Sequence, residues 1–96
     1  MAILNMSNNK LATKEAGQAL AGALAANSTL NELDVSNNYD QFDANDGPGF
    51  AKELAIGVSA NGALTSLNLS RNFLQAEGAK HVAEAIKGHV SALRFD

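Results

Sequence analysis

A chain of 96 residues with 46% hydrophobic but only 5% aromatic residues is long enough for one domain with an aliphatic core. Its formal charge of −3, from 7 basic and 10 acidic residues, is too mild and too mixed for a phosphate-binding surface, which argues against a nucleic-acid partner. The absence of cysteine excludes disulfides and fits a cytoplasmic protein. No apolar run approaches the roughly 18–20 residues of a membrane span, so no membrane contact is predicted.

Three related segments follow one another along the chain, and each begins with a short alternating pattern. The pattern reads LNMSNN at 4–9, LDVSNN at 33–38 and LNLSRN at 67–72. Alternation of apolar and polar residues is typical of a strand with one buried face, which predicts strands near 3–6, 33–36 and 66–69. The second half of each segment places apolar residues four apart. This spacing predicts helices near 14–26, 48–60 and 76–87.

Residues that favour helix ends flank each predicted helix. A threonine or aspartate can cap a helix start, proline suits the first turn, and asparagine or glycine often follows the last turn. The candidates are, in chain order, Thr13, Asn27, Asp46, Gly47, Pro48, Asn61 and Gly88.

The three segments are units of one repeat. Leu4 and Leu33 are 29 residues apart and Leu33 and Leu67 are 34 apart, with the extra residues between Asn38 and Phe50. Strand–helix units that cannot bury their apolar faces alone stack side by side. We therefore expect a single domain over 1–96, with about three repeats and the start of a fourth. The repeats are 1–30, 31–64 with a loop insertion at 39–49, and 65–93.

Two stretches of the chain, EAGQALAGALAANSTLNELDVSNN and NGALTSLNLSRNFLQAEGAKHVAEAI, resemble a known repeat. They are similar to leucine-rich repeats of the ribonuclease-inhibitor-like class, found also in NOD-like receptors and in the Ran GTPase-activating protein. The resemblance extends over nearly the whole chain. It implies an α/β solenoid, a short curved horseshoe segment with parallel strands on the concave side and helices on the convex side. The function it implies is a non-catalytic protein–protein interaction module.

An asparagine ends the alternating pattern of each unit, at Asn9, Asn38 and Asn72. Where the chain turns inward after a strand, backbone groups lose their partners in the sheet. A carboxamide offers both donors and an acceptor for these groups. We interpret the three residues as a structural asparagine ladder.

In the implied fold, the polar strand residues project from the concave face in rows across the units. The first two rows are Ile3, Glu32 and Ser66, then Asn5, Asp34 and Asn68; the next two are Ser7, Ser36 and Ser70, then Asn8, Asn37 and Arg71. Concave faces of repeat proteins commonly bind partners, whereas a merely solvated sheet face is the alternative. The candidate partner-binding residues are Glu32, Asp34, Ser66, Asn68 and Arg71. As a solvated residue, Asp34 should be replaceable by alanine with little effect on stability.

The insertion YDQFDANDGPG supplies a second candidate surface, because a loop added to one unit changes an edge without disturbing the stack. The candidates in it are Tyr39, Asp40, Phe42 and Asp43, and one of the two aromatic rings is expected to pack down. The acidic residues do not follow the calcium-loop spacing, so no metal site is predicted. A turn-forming loop that caps the second helix is the alternative.

We predict no enzymatic activity and no cofactor. His81 and His89 are the only histidines, no cysteine is present, and no phosphate-binding loop occurs. Two further alternatives stay open. Apolar residues at both ends of the stack, Leu4 and Leu93 among them, favour self-association or a place in a longer solenoid. The Ran GTPase-activating relatives suggest regulation of a small GTPase.

Overall fold

The computed structural model describes residues 2–40, 45–86, 90 and 92–94. Strands and helices alternate along the chain, which confirms the predicted α/β organisation. The elements are β1 (Ala2–Asn5), α1 (Lys14–Ala26), β2 (Leu30–Asp34), α2 (Gly47–Ala60), β3 (Ser66–Asn68), α3 (Gln75–Ala85) and β4 (Ala92–Arg94). The predictions made for Phe42, Asp43, Gly88 and His89 lie outside the described residues.

The four strands form one parallel sheet in the order β1-β2-β3-β4. Each neighbouring pair is joined through a helix, as parallel strands require. The register aligns equivalent residues of successive units. Leu4, Leu33, Leu67 and Leu93 form one row across the sheet, and Asn5, Asp34, Asn68 and Arg94 form the next.

The predicted strand ends are wrong by one or two residues, because the chain leaves the strand conformation earlier than the alternating pattern does. β2 ends at Asp34 rather than at 36. The side-chain Oδ1 of Asp34 accepts the backbone N–H of Ser36 at 2.9 Å, which closes a turn directly after the strand. Asn37 follows in the left-handed region with a φ of 56°. The hydrogen bond of Asp34 and the left-handed conformation of Asn37 therefore end the strand, although the alternating sequence pattern continues.

The core lies between one face of the sheet and the helices. α2 contributes most to it, since Phe50 and Leu54 are fully buried in the middle of the stack. Apolar residues in β2 and β3, or directly after these strands, belong to the same core. These buried residues are Leu33, Val35, Leu67 and Leu69. The core is aliphatic apart from Phe50, as the composition predicts.

Small residues let neighbouring helices approach each other closely. Gly57 of α2 packs on the backbone of Ala21 of α1, and a Cβ atom at Gly57 would overlap that backbone. Gly17 of α1 lies against α2 in the same way, because a Cβ there would come within 2.8 Å of the Phe50 carbonyl oxygen. Glycine and alanine thus allow α1 and α2 to pack in close contact.

Side-chain caps begin the first two helices as predicted. Thr13 Oγ1 accepts the N–H of Ala16 at 3.1 Å before α1, and Asp46 Oδ1 accepts the N–H of Gly49 at 2.8 Å before α2. Both helices end before an asparagine, at Asn27 and Asn61. Within the described ranges, no helix combines the length and hydropathy needed to cross a bilayer.

Candidate functional site

The face of the sheet that points away from the helices, here called the open face, carries the polar strand residues. A shallow depression of about 280 Å³ lies on it. Besides the buried Leu33 and Leu67, the residues that line it come from alternate positions along the four strands. They are Ile3, Asn5, Glu32, Asp34, Ser66, Asn68 and Arg94. Four of the five residues predicted for a binding face therefore line one depression.

Charge is distributed unevenly over the open face. Glu32 and Asp34 stand two residues apart on β2, so both carboxylates project to the same side of the sheet. Arg94 lies on β4, next to Asn68 in the register. Since neighbouring strands are about 4.8 Å apart, the backbone of Arg94 on β4 is about 10 Å from that of Asp34 on β2. The face presents an acidic centre and a basic edge.

Arg71, predicted for this face, lies instead in the turn after β3. It is exposed, has a φ of 61°, and does not line the depression. β3 ends at Asn68, so the alternation that would place Arg71 with the strand residues no longer applies. Among the described residues that line the depression, Arg94 carries the positive charge, and it was not among the predicted binding residues. Its signal is Leu93–Arg94, which repeats the Leu67–Asn68 step.

The predicted row of serines does not project from the sheet. Ser36 and Ser70 are buried, at 6% and 8% exposure, so this part of the prediction is wrong. The early strand ends turn these residues inward. The Ser70 hydroxyl has no hydrogen-bond partner among the residues that the structure describes.

One row of the open face also closes turns. Asn5, Asp34 and Asn68 each accept, through Oδ1, the backbone N–H two residues ahead, at 2.9, 2.9 and 3.0 Å. Each side chain keeps further hydrogen-bonding atoms on the open face. An Asn or Asp at this position therefore serves both the turn and the polar surface.

The asparagines after the strands join neighbouring units. Asn38 Oδ1 accepts the N–H of Asn9 at 2.7 Å, and its Nδ2 donates to the carbonyl of Met6 at 3.1 Å and to that of Val35 at 2.6 Å. Asn72 makes the same contacts one unit later. Asn9 donates to its own turn and is exposed.

The described part of the insertion packs against the neighbouring turns. The ring of Tyr39 contacts Phe73, with 5.1 Å between centroids and 32° between planes. Lys10 Nζ lies 3.5 Å from a carboxylate oxygen of Asp40, whose backbone N–H donates to Asn45 Oδ1 at 3.1 Å. Tyr39 and Asp40 thus lie at the edge of the sheet where the strands end.

No group of three or more His, Asp or Glu side chains that could hold a metal ion occurs within the described stretches of the chain. His81 lies on the outer side of the helix layer, in a groove between α2 and α3 that includes Ser59. The candidate site on the open face combines polar and charged side chains with the apolar residues Ile3, Leu33 and Leu67.

Comparison with known proteins gives a match to one family model, that of the leucine rich repeat, over residues 61–83. This stretch extends from the end of α2 through β3 into α3. With the alternating strands and helices and the parallel sheet, the match supports a leucine-rich repeat protein, a class that generally serves as a non-catalytic module for protein interaction. Neither the curated proteins nor the solved structures gave a match.

Proposed function

We propose that this chain is a non-catalytic protein-binding module that contacts its partner through the open face of the sheet. One observation carries the proposal: a depression of about 280 Å³ is lined by strand side chains of every unit, with two carboxylates at its centre and a cation at its edge. In this proposal the units are of the ribonuclease-inhibitor-like class. They form a short solenoid with the open face on its concave side.

The chemistry of the face suits a protein surface with charges of both signs. Glu32 and Asp34 can accept hydrogen bonds from a basic side chain, while Arg94 can pair with an acidic one. Ile3, at 65% exposure, adds apolar contact area at the rim. Ser66 and Asn68 lie between the charges and supply neutral donors and acceptors. Tyr39 and Asp40 extend the contact at the strand-end edge.

A peptide selection tests this proposal without a known partner. The full chain is immobilised and panned against a random 12-residue display library, and each enriched peptide is synthesised and its Kd measured. The test variants, Glu32→Gln, Asp34→Asn and Arg94→Gln, change charge and little else. The matched controls, Glu77→Gln and Lys80→Gln, remove charges from the exposed side of α3.

We expect at least about a tenfold loss of affinity for the open-face variants, since groups paired across an interface contribute about 1.4 kcal/mol or more. The controls should bind as the unchanged chain does. Equal affinities for both sets of variants would contradict the assignment of the open face.

A second candidate function, self-association, is favoured by the β1 end of the stack. Leu4 is 41% exposed, whereas Leu33 and Leu67 in the same row are 2% and 1% exposed. Beside Leu4 an apolar groove of about 120 Å³ extends along α1 to Leu24. A second copy that adds a strand to β1 would cover this surface.

Light scattering over a hundredfold concentration range tests self-association. A mass that rises above 10.0 kDa with concentration is expected, and Leu4→Asp should return it to the monomer value. A constant mass of 10.0 kDa would contradict this second function. Faster nucleotide hydrolysis by a small GTPase would instead support the regulatory alternative. The cytoplasmic location stays a prediction from composition.

A further inference from the structure

Asn61 follows α2 directly, and its side chain is buried, at 1% exposure. Its Nδ2 donates to the carbonyl of Leu24 at 2.9 Å and to that of Asn27 at 2.8 Å, at the end of α1. Its Oδ1 accepts the backbone N–H of Ala63 at 2.9 Å and that of Leu64 at 2.7 Å. One carboxamide therefore joins the ends of two helices to the segment that leads into β3.

The residue after it, Gly62, makes this asparagine chemically reactive. In an Asn-Gly pair the backbone nitrogen of the glycine can attack the side-chain carbonyl carbon of the asparagine, since no Cβ atom hinders the approach. Asn61–Gly62 is the only Asn-Gly pair in the sequence. The most reactive amide of the chain is thus also one of its most extensively hydrogen-bonded side chains.

The turn itself does not require glycine at this position. A Cβ atom at Gly62 would meet nothing within 4 Å, and Gly62 does not adopt the left-handed conformation. The equivalent residue after α1 is Ser28. The asparagine before it, Asn27, accepts the N–H of Thr29 at 2.9 Å and that of Leu30 at 2.7 Å, as Asn61 does in the next unit. A serine therefore serves equally well in the same turn.

The folded structure protects Asn61 from this reaction. The leaving group would be Nδ2, the atom that donates to the carbonyls of Leu24 and Asn27. The backbone N–H of Asn61 also donates to the carbonyl of Gly57 at 3.0 Å, which fixes the residue on the end of α2. The reaction requires the loss of these side-chain hydrogen bonds. Its rate should therefore follow the population of a form in which this part of the stack is open.

We propose that Asn61–Gly62 is a self-modification site that reacts when the stack opens and then prevents it from closing. The Gly62 nitrogen gives its proton to a solvent base and bonds to Cγ of Asn61, while the Cγ–Nδ2 bond breaks and ammonia leaves with a proton from water. Water then opens the cyclic imide to aspartate or isoaspartate. The sum is hydrolysis of an amide to an acid and ammonia, with no change of oxidation state.

Neither product fits the native environment of residue 61. Aspartate places a carboxylate oxygen where Nδ2 of Asn61 donated, so that it faces the carbonyl oxygens of Leu24 and Asn27. Acceptors then face acceptors, and a charge is buried without a partner. Isoaspartate also lengthens the backbone between α2 and β3. The reaction therefore limits how long a copy of this chain stays folded. This inference goes beyond the proposed function, since it involves no partner.

Peptide mapping of the aged chain tests the site. The full chain is incubated at mildly alkaline pH, in buffer and in urea that unfolds it, and samples are digested with trypsin. Cleavage after Lys52 and Arg71 releases residues 53–71 as one peptide. Chromatography separates its aspartyl and isoaspartyl forms, and fragmentation in a mass spectrometer assigns the change to Asn61. Gly62→Ser, which gives this turn the dipeptide of the first unit, is the matched control.

In urea, Asn61 should react faster than any other asparagine of the chain. In buffer its reaction should be at least about tenfold slower, because the open form is a minor population. Gly62→Ser should slow the reaction in both and keep its melting midpoint within about 2 °C of the original or above it. Equal rates in buffer and in urea would overturn the protection by the fold. An unreactive Asn61 in urea would overturn the site.

A second measurement tests whether the product prevents closing. Asn61→Asp carries one product, and its melting midpoint should fall by at least about 8 °C. The matched control is Asn27→Asp, which is exposed and keeps its acceptor oxygen, so its midpoint should change by less than about 2 °C. If Asn61→Asp does not fold, size-exclusion chromatography of the aged original chain replaces the melting curve. Its modified fraction should elute as unfolded chain, whereas aged Gly62→Ser stays folded. A modified chain that melts or elutes as the original does would overturn this part of the inference.

Discussion

The side-chain oxygen of Asn72 accepts the backbone N–H of Asn38 at 2.8 Å, so one unit completes the hydrogen bonding of the unit before it. The two residues are the last of their alternating patterns and are both fully buried. Nδ2 of Asn72 also donates to Val35 of the preceding unit, at 2.8 Å. The ladder therefore couples neighbouring units as well as closing each turn.

Replacement of Asn38 by alanine should lower the free energy of unfolding by about 2–3 kcal/mol, because several buried backbone groups lose their partner. Asn9→Ala is the matched control, since among the described residues the side chain of Asn9 donates only to the carbonyls of Met6 and Ser7 in its own turn. It should cost less than about 1 kcal/mol. Urea unfolding followed by circular dichroism measures both, and similar losses for the two variants would refute the buried ladder.

Asp34 should matter for stability as well as for binding. Its Oδ1 accepts the N–H of Ser36 at 2.9 Å, and this hydrogen bond argues against the expectation that alanine is neutral at this position. We expect Asp34→Ala to lower the free energy of unfolding by about 0.5–1.5 kcal/mol. Asp34→Asn keeps the acceptor oxygen, so it should leave the free energy of unfolding almost unchanged. The same urea titrations decide this. If both variants unfold at the original midpoint, the turn does not need this side chain.

An added methyl group should lower the free energy of unfolding at one position of α2 and raise it at one position of α1. Gly57→Ala places a Cβ atom in the backbone of Ala21, and we expect a loss of about 1–3 kcal/mol from overpacking. Gly22→Ala adds a methyl group in open space on α1 and should gain about 0.5–1 kcal/mol from helix propensity. Melting curves of the two variants should shift in opposite directions. A shift in the same direction would mean that the helices are not in close contact.

Asp46, the last residue before α2, should stabilise the start of this helix through its side chain. Asp46→Ala removes the acceptor for the N–H of Gly49 and should cost about 1 kcal/mol. Asp46→Asn keeps an oxygen at the same place and should retain most of that stability. Unfolding midpoints in urea distinguish the two. Equal losses would indicate that the charge, rather than the hydrogen bond, stabilises the helix start.

Much of the architecture could be predicted because it depends on local chemistry. α1 spans Lys14–Ala26, as the apolar spacing and Thr13 predict. The alternating LxL pattern identified the first three strands, and parallel pairing followed from the strand–helix repeat. Helix caps and the approximate positions of short strands depend on residues that are close together in the sequence. The amino-acid sequence by itself therefore determines them.

The composition of the candidate surfaces was decided by the tertiary structure. Arg94 rather than Arg71 lies on the open face, because the turn after Asn68 carries Arg71 away and strand pairing brings Arg94 beside Asn68. Tyr39 meets Phe73 only when adjacent units stack in register. Local pattern specifies which residues can form a strand or a helix. Register and turn geometry, which depend on contacts between distant segments, decide which side chains share a surface.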